Sequence, residues 1–285
     1  MSDASELTLT LPGRRRHPRR RAMRHGIVAL TLLVAVLAGG VLLPDGALSI
    51  NAGSRALPPQ PSHPAGTDML GRDIAARTLA ALAQSLQVGL LAAGASTLVA
   101  VALGLAATFG RVADHLVGVL TELALGLPHF VLLIMIAFAM GGGTTGVVVA
   151  IALTHWPRLS RILRHEAQTT AASEYVMISR ALGRSQLWVA RHHLAPHLVP
   201  QIIAGFIVIF PHAILHEAGL SFIGLGIEPH LPSIGVMLSE SLGEIMAGHW
   251  WVAAAPGLGL MLIALALERF GEALRQLSEP AGGMT

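Results

Sequence analysis

Long apolar runs separated by shorter polar segments dominate this chain. Runs near residues 26–43, 84–109, 116–140, 144–162, 199–224 and 250–271 predict six helices. Each approaches or exceeds the roughly 20 residues that cross a hydrocarbon core at about 1.5 Å per residue. In lipid, only α-helices and closed barrels satisfy their own backbone N–H and C=O groups, and these runs are far too long for barrel strands. The expected fold class is therefore all-α: an integral membrane protein with about six transmembrane helices. Composition agrees, since the 285 residues are 53% hydrophobic and 12% charged, a balance far from that of soluble domains.

The first run follows a basic arm, residues 1–25, that carries Arg14, Arg15, Arg16, Arg19, Arg20, Arg21 and Arg24. Such an arm would suit nucleic acid. Directly before an apolar run, it marks instead the cytoplasmic end of a span. The stretch from Ile27 to Leu43 is longer than a signal-peptide core, and no small-residue cleavage site follows it. Residues 26–43 are therefore expected to stay as an uncleaved first helix. All basic residues are Arg. With the arm inside, Arg111, Arg158, Arg161, Arg164, Arg180, Arg184, Arg191, Arg269 and Arg275 also fall inside, against Arg55, Arg72 and Arg77 outside. This asymmetry predicts cytoplasmic N- and C-termini. Trp156, Trp250 and Trp251 are expected near membrane interfaces, where amphipathic rings are favoured. Cysteine is absent, which excludes disulfides and thiolate metal sites.

Residues 44–83 form the first outer segment. Its first half is rich in Pro, Gly and Ser and reads as irregular loop. In its second half, Gly66-Thr67-Asp68-Met-Leu-Gly71-Arg72-Asp73-Ile-Ala-Ala-Arg77, Thr67 or Asp68 is expected to cap a short amphipathic helix on the outer surface. The second outer excursion, 224–248, carries Glu228, Glu240 and Glu244. The last two read as solvated loop charge.

Residues 84–280 then make up a helical core interrupted by a polar loop at 165–197. Within it, Glu174-Tyr-Val-Met-Ile-Ser179-Arg-Ala-Leu-Gly183-Arg184 leads on to His192-His193-Leu-Ala195-Pro196. This predicts a short helix, a Gly break, a second short helix and a Pro stop. Gly183 permits a turn that a side chain would obstruct. Pro196 and Pro200 are expected to end the loop before the fifth span. Short amphipathic helices joined in this way can seat in a groove and move as one body.

The loop resembles the cytoplasmic coupling loop of the membrane subunits of ABC importers. Three more motifs sharpen the resemblance: Gly66-Thr67-Asp68-Met-Leu-Gly71-Arg72-Asp73; Ser221-Phe-Ile-Gly224-Leu-Gly226 with Pro229 and Gly235-Val-Met-Leu; and Trp250-Trp251 with Pro256-Gly257, leading to Glu268-Arg-Phe-Gly271-Glu-Ala-Leu-Arg275 and Pro280. Together they resemble the C-type permease subunit of dipeptide, oligopeptide and nickel ABC importers, in order and spacing over about residues 63–280. The resemblance implies an N-terminal helix plus a five-helix permease core of type I, MetI-like architecture, in a bacterial inner membrane and surrounded by lipid. It implies a homologous second permease subunit and two ATP-binding subunits docked on 165–197, with Glu174, Ser179, Gly183, Arg184 and Pro196 in the coupling loop. It also implies an extracytoplasmic substrate-binding protein over 44–83 and 225–249. Nucleic acid is not an expected partner. The chain departs from the family where Met177, Ile178 and Ser179 replace a usual Glu-Ala-Ala, and where Ala195 replaces the Leu common before the Pro. Its docking surface is therefore matched to a particular ATPase.

His129, His155, His212 and His216, with Glu122 and Glu217, fall inside or at the ends of spans three to five. Polar groups at that depth face a pathway or another helix. His155, His212, His216 and Glu217 are the candidate pathway residues. His212 and His216, four apart on one helix face, have the spacing of paired metal ligands, and neutral imidazole suits Ni, Cu, Zn and Fe. Cargo must leave a pathway, so any metal contact there is weak and transient. Leu153-Thr-His155-Trp156 and the stretch from His212 to Phe222 resemble the nickel branch of the family. The expected cargo is nickel or a metal–chelator complex, with a dipeptide or oligopeptide as the alternative.

The chain has no Gly-x-x-x-x-Gly-Lys-Ser/Thr and no Lys to serve one. ATP and magnesium therefore belong to partner subunits, and no cofactor is expected on this chain. No nucleophile–base–acid set stands out, so an enzyme is not expected. An ion-coupled secondary transporter would carry inverted repeats and broken helices. Neither is clear in the sequence, and that class leaves the polar loop unexplained.

Overall fold

The computed structural model describes residues 18–44 and 46–278. Arg14, Arg15, Arg16 and Pro280 lie outside the described residues. Among the described residues the secondary structure is helical, with two isolated β-bridges and no strand. Helices α1 (Pro18–Val41), α2 (Ile74–Ala106), α8 (Ala195–Phe222) and α10 (Trp251–Ser278) are each long and apolar enough to cross a membrane. Helices α3 (Arg111–Gly126) and α4 (His129–Ala139) qualify only as a pair, bent by 99°. Helix α5 (Gly143–Ala171) carries His155, Arg158, Arg161 and Arg164 yet runs through the centre, where Ala150, Ile151 and Leu163 are fully buried.

Several boundaries differ from the sequence expectation. The single third span read at 116–140 is broken at Leu127-Pro128. The Pro ring pushes the residue before it out of the helical region, and Leu127 is extended at φ −89°, ψ 145°. The short amphipathic helix expected within 66–83 does not form. Asp73 caps Ala76 N at 2.9 Å instead, and α2 runs unbroken from Ile74. Pro196 and Pro200 do not end the coupling loop. One widened turn, Ala190–Leu194, joins α7 (Gln186–Val189) to α8, and Pro200 lies inside α8. Pro196 stands at the start of α8, where a missing N–H is tolerated; Pro200, one turn on, gives up one helical hydrogen bond without ending the helix. The outer excursion holds a further helix, α9 (Ile234–Met246).

The core forms where α2, α4, α5 and α8 meet. Ala92, Ala93 and Ala100 on α2 are fully buried beside Val147, Ala150 and Ile151 on α5, the small-residue contact that lets membrane helices approach closely. A second cluster, including Ile74, Leu86, Ile214, Ile234, Met237 and Ile263, joins α2, α8, α9 and α10. Polar ties hold α3 to α5, with Arg164 Nε donating to Asp114 Oδ1 at 2.5 Å and Arg161 Nη2 to Glu122 Oε1 at 2.7 Å. At the opposite end of α5, Glu228 accepts from Thr144 N and Oγ1 at 3.2 and 2.7 Å. The Thr144 hydroxyl holds the Glu228 carboxyl below its ordinary range.

Helix α9 lies almost in backbone contact with α8. A Cβ on Gly235 would meet Ala218 O at 2.2 Å, Ser221 Cβ at 2.6 Å and Phe222 N at 2.7 Å. Two of these atoms are backbone and cannot swing aside. Gly235→Ala is expected to cost about 3 kcal/mol, the upper end for overpacking, read as a lower melting temperature of the purified protein. Gly243→Ala on the same helix meets nothing within 4 Å and should hold or raise it by the helix propensity of Ala. Equal melting of the two variants would refute this packing.

Candidate functional site

Three regions hold the residues singled out from the sequence. The first is the outer signature loop. Thr67 and Asp68 are buried. Thr67 Oγ1 donates to Ser54 O at 2.5 Å and accepts from Leu57 N at 2.8 Å, so a loop with no strand partner still pairs its backbone groups. Asp68 Oδ1 accepts from the amides of Leu70 and Arg72, both at 2.9 Å. Its Oδ2 accepts from Arg72 Nε at 2.7 Å and Arg77 Nη1 at 2.8 Å. Gly71 sits at φ +72°, and a Cβ there would fall on Asn51 O. Glu240 and Glu244, read from sequence as solvated charge, instead clasp this loop to α9. Arg77 Nη2 lies 2.9 Å from Glu240 Oε2, and Met69 N donates to Glu244 Oε1 at 3.0 Å. Trp251 Nε1 closes the far side by donating to Thr67 O at 3.1 Å. Gly66, Arg72 and Asp73 thus belong to a folded clasp between the start of α2 and α9.

The second region is the polar loop. Helix α6 (Glu174–Ala181) is closed by Leu182 and then Gly183, whose φ of +82° makes the turn expected there. Val176, Val189, Ala190 and Leu194 form a small core that anchors the loop against Leu105 and Ala171. Ser179 Oγ bonds His193 Nε2 at 2.9 Å, and the Arg184 guanidinium lies 4.6 Å from the Trp188 ring centroid. Trp188 also stacks on His192 with centroids 4.4 Å apart. Trp188 is not among the residues expected from the sequence; Arg184 reaches it from the turn before α7, and His192 stacks on it from one turn further along the chain. Glu174, Arg184 and Pro196 are exposed, while Tyr175, Met177, Ile178, Leu182 and Leu187 turn apolar side chains outward.

The third region lies beside the α3–α4 break, whose residues Leu127, Pro128 and His129 are exposed. His129 begins α4, directly after the break. Its ring centroid lies 4.6 Å from that of His155 on α5 and 5.2 Å from that of His216 on α8, and the latter two are 5.0 Å apart. One nitrogen from each falls within 4.8 Å of the others. The pairing of His212 with His216 read from the sequence is therefore replaced. His212 is exposed and its Nδ1 bonds Val208 O at 2.8 Å, while His216 turns to rings on two other helices. Glu217, one residue on, points away into the α8–α9 contact. It is fully buried and accepts from Ser221 Oγ at 2.8 Å and Ser233 Oγ at 3.2 Å. It is a tie between helices, not a member of the histidine group.

A bundle of membrane helices with an ordered polar loop at one end and a folded clasp at the other is the frame of an importer permease. The family model described as "Binding-protein-dependent transport system inner membrane component" matches residues 96–277. A dipeptide transport system permease protein DppC of Bacillus subtilis is 33% identical over 269 residues, 94% of this chain and 84% of that protein. A putative peptide transport system permease of Brucella suis is 32% identical, over 93% of this chain and 90% of its own length. Among solved structures, the inward-facing MetNI methionine ABC transporter matches with a TM-score of 0.53 at 17% identity, covering 69% of this chain and 94% of that chain. An amino acid ABC transporter with histidines matches with a TM-score of 0.54 at 16% identity. The chain belongs to the inner-membrane permease family of binding-protein-dependent ABC importers. It is a multi-pass transport subunit and not an enzyme, and it works with ATPase and binding-protein partners. The relatives named here are dipeptide and peptide permeases, which favours the peptide alternative over the nickel cargo expected from the sequence.

Proposed function

We propose that this permease carries short peptides, dipeptides or oligopeptides, inward across the bacterial inner membrane. The observation that supports this most is the relation to peptide permeases over more than nine-tenths of the chain. In this reading a homologous second permease chain completes the pathway. Two ATP-binding subunits seat on α6 and α7, where apolar side chains face outward from a braced loop. A substrate-binding protein rests over the signature loop and α9. The Arg distribution supports cytoplasmic termini. ATP binding closes the ATPases, the braced loop moves as one body, and the spans switch access from one side to the other. The histidine group favours a second reading, a metal-bearing cargo. Cells lacking this chain, tested with a radiolabelled dipeptide and with labelled nickel, are expected to lose dipeptide uptake and regain it with the intact gene. Loss of nickel uptake alone would move the cargo to the metal class.

A further inference from the structure

We propose that His129, His155 and His216 bind one borderline divalent transition-metal ion, of the nickel, copper or zinc kind, and leave a fourth position for a donor atom of the cargo. Three helices converge to bring these rings together, and α4 reaches them only because the third span is broken at Pro128. The chemistry of His155 orients the site. Its Nδ1 lies 3.1 Å from Thr154 Oγ1 and 3.2 Å from the Ile151 carbonyl oxygen. The Thr154 hydroxyl spends its one proton on Ala150 O at 2.8 Å, so both neighbours accept, Nδ1 carries the proton and Nε2 holds a free lone pair. That Nε2 is buried and has no hydrogen-bond partner. A buried acceptor left unmade is costly, and a metal ion would satisfy it. An imidazole N–H held by a backbone carbonyl is also the usual way a metal-binding ring is fixed in tautomer and direction.

The other two rings complete the donor set. Among the described residues no hydrogen bond joins one of the three rings to another, so their nitrogens are not spent on each other. Nitrogens bound to one ion at about 2.0–2.1 Å in a tetrahedron stand roughly 3.3–3.5 Å apart, and the three here already lie within 4.8 Å of one another. His129 is exposed and sits on the first turn of α4, so a change of its rotamer supplies the contraction. Three imidazoles are neutral, so a bound ion keeps its double charge and attracts an anionic fourth ligand such as a peptide carboxylate. Arg158, exposed one turn along α5 from His155, adds to that attraction. The chain has no cysteine, so no thiolate competes for the ion. The role in transport rests on the importer reading above. The binding itself does not.

Titration of the full chain in lipid nanodiscs with nickel chloride, and with cobalt chloride as a spectroscopic probe, tests the site without any partner subunit. The intact protein is expected to bind one equivalent that His129→Ala and His216→Ala each weaken by at least the roughly 10- to 100-fold that loss of an outer-shell partner costs. Visible cobalt bands of tetrahedral intensity should vanish in both. His212→Ala, which removes the ring outside the group, should leave both readouts unchanged. His129 is exposed, so its variant should fold, and an unchanged elution profile and helicity verify this. Unaltered affinity in the His129 and His216 variants, or equal loss in His212→Ala, would overturn the proposal. Dipeptide uptake is measured separately, so either reading can fail while the other stands.

Discussion

Asp68→Asn is expected to unfold the outer end of the protein and abolish uptake, whereas Glu240→Gln, in the same ion network, should be tolerated. The carboxylate of Asp68 is 3% exposed and accepts from two backbone amides and two guanidinium groups. Asn keeps an oxygen for the amides but turns an NH2 group toward Arg72 and Arg77. Arg77 is itself buried, so one positive charge would lose its nearest counter-charge away from water. Breaking a buried pair in this way typically costs about 3–5 kcal/mol. Glu240 lies 2.9 Å from Arg77 and 3.4 Å from Arg72, but its side chain is 42% exposed, so water screens it and its loss is expected to cost about 1 kcal/mol. The measurement is thermal unfolding of the purified protein followed by tryptophan fluorescence, for which Trp251 against Thr67 is a local reporter. Similar melting shifts in the two variants would mean that Asp68 is not the keystone of the clasp. The same loop makes the contact to Glu244 on α9, so its loss should spread to that helix.

The sequence and the fold agree where the information is local. Apolar runs mark α1, α2, α5, α8 and α10, because crossing lipid demands length and hydropathy that any window detects. The loop around Gly183 is legible for the same reason, since a positive φ needs a residue without Cβ. The break at Leu127-Pro128 lies inside an unbroken apolar run, so hydropathy does not show it, and Pro128 is its one local sign. Helix α2 begins ten residues before the apolar run because Asp73 caps it and polar Arg77 is buried against Asp68, a pairing across nine residues of chain. The histidine group shows the limit most clearly. Helical periodicity placed His212 and His216 on one face and could go no further. The partners of His216 are 61 and 87 positions away, on α5 and α4, and only the packing of three helices decides which ring it meets. Glu217, a pathway candidate from the sequence, is fully buried between helices. Its partners Ser221 and Ser233 make it a brace because α9 folds back over α8, which no local pattern foretells.

Leu182→Glu combined with Leu187→Glu is expected to separate the permease from its ATPases while leaving it folded. These side chains are 78% and 70% exposed at the two ends of the Gly183 turn, so no internal contact resists the change. Beside them Tyr175, Met177 and Ile178 are also exposed. Contiguous outward apolar side chains on an otherwise polar loop mark a protein contact. The loop is braced from behind by Val176, Val189 and Leu194 and across its face by the Arg184–Trp188 stack, as the proposed coupling role requires. A carboxylate placed in the centre of such a contact must be desolvated without a partner. Hot-spot positions cost about 2 kcal/mol or more each, so two together should weaken association by roughly a thousandfold. Co-purification of the ATPase chains with a tagged permease reads this directly, and uptake should fall in step. Full retention of the ATPases by the double variant, with normal folding, would place the docking surface elsewhere. Loss of uptake with the ATPases still bound would mean that these side chains transmit motion without carrying affinity.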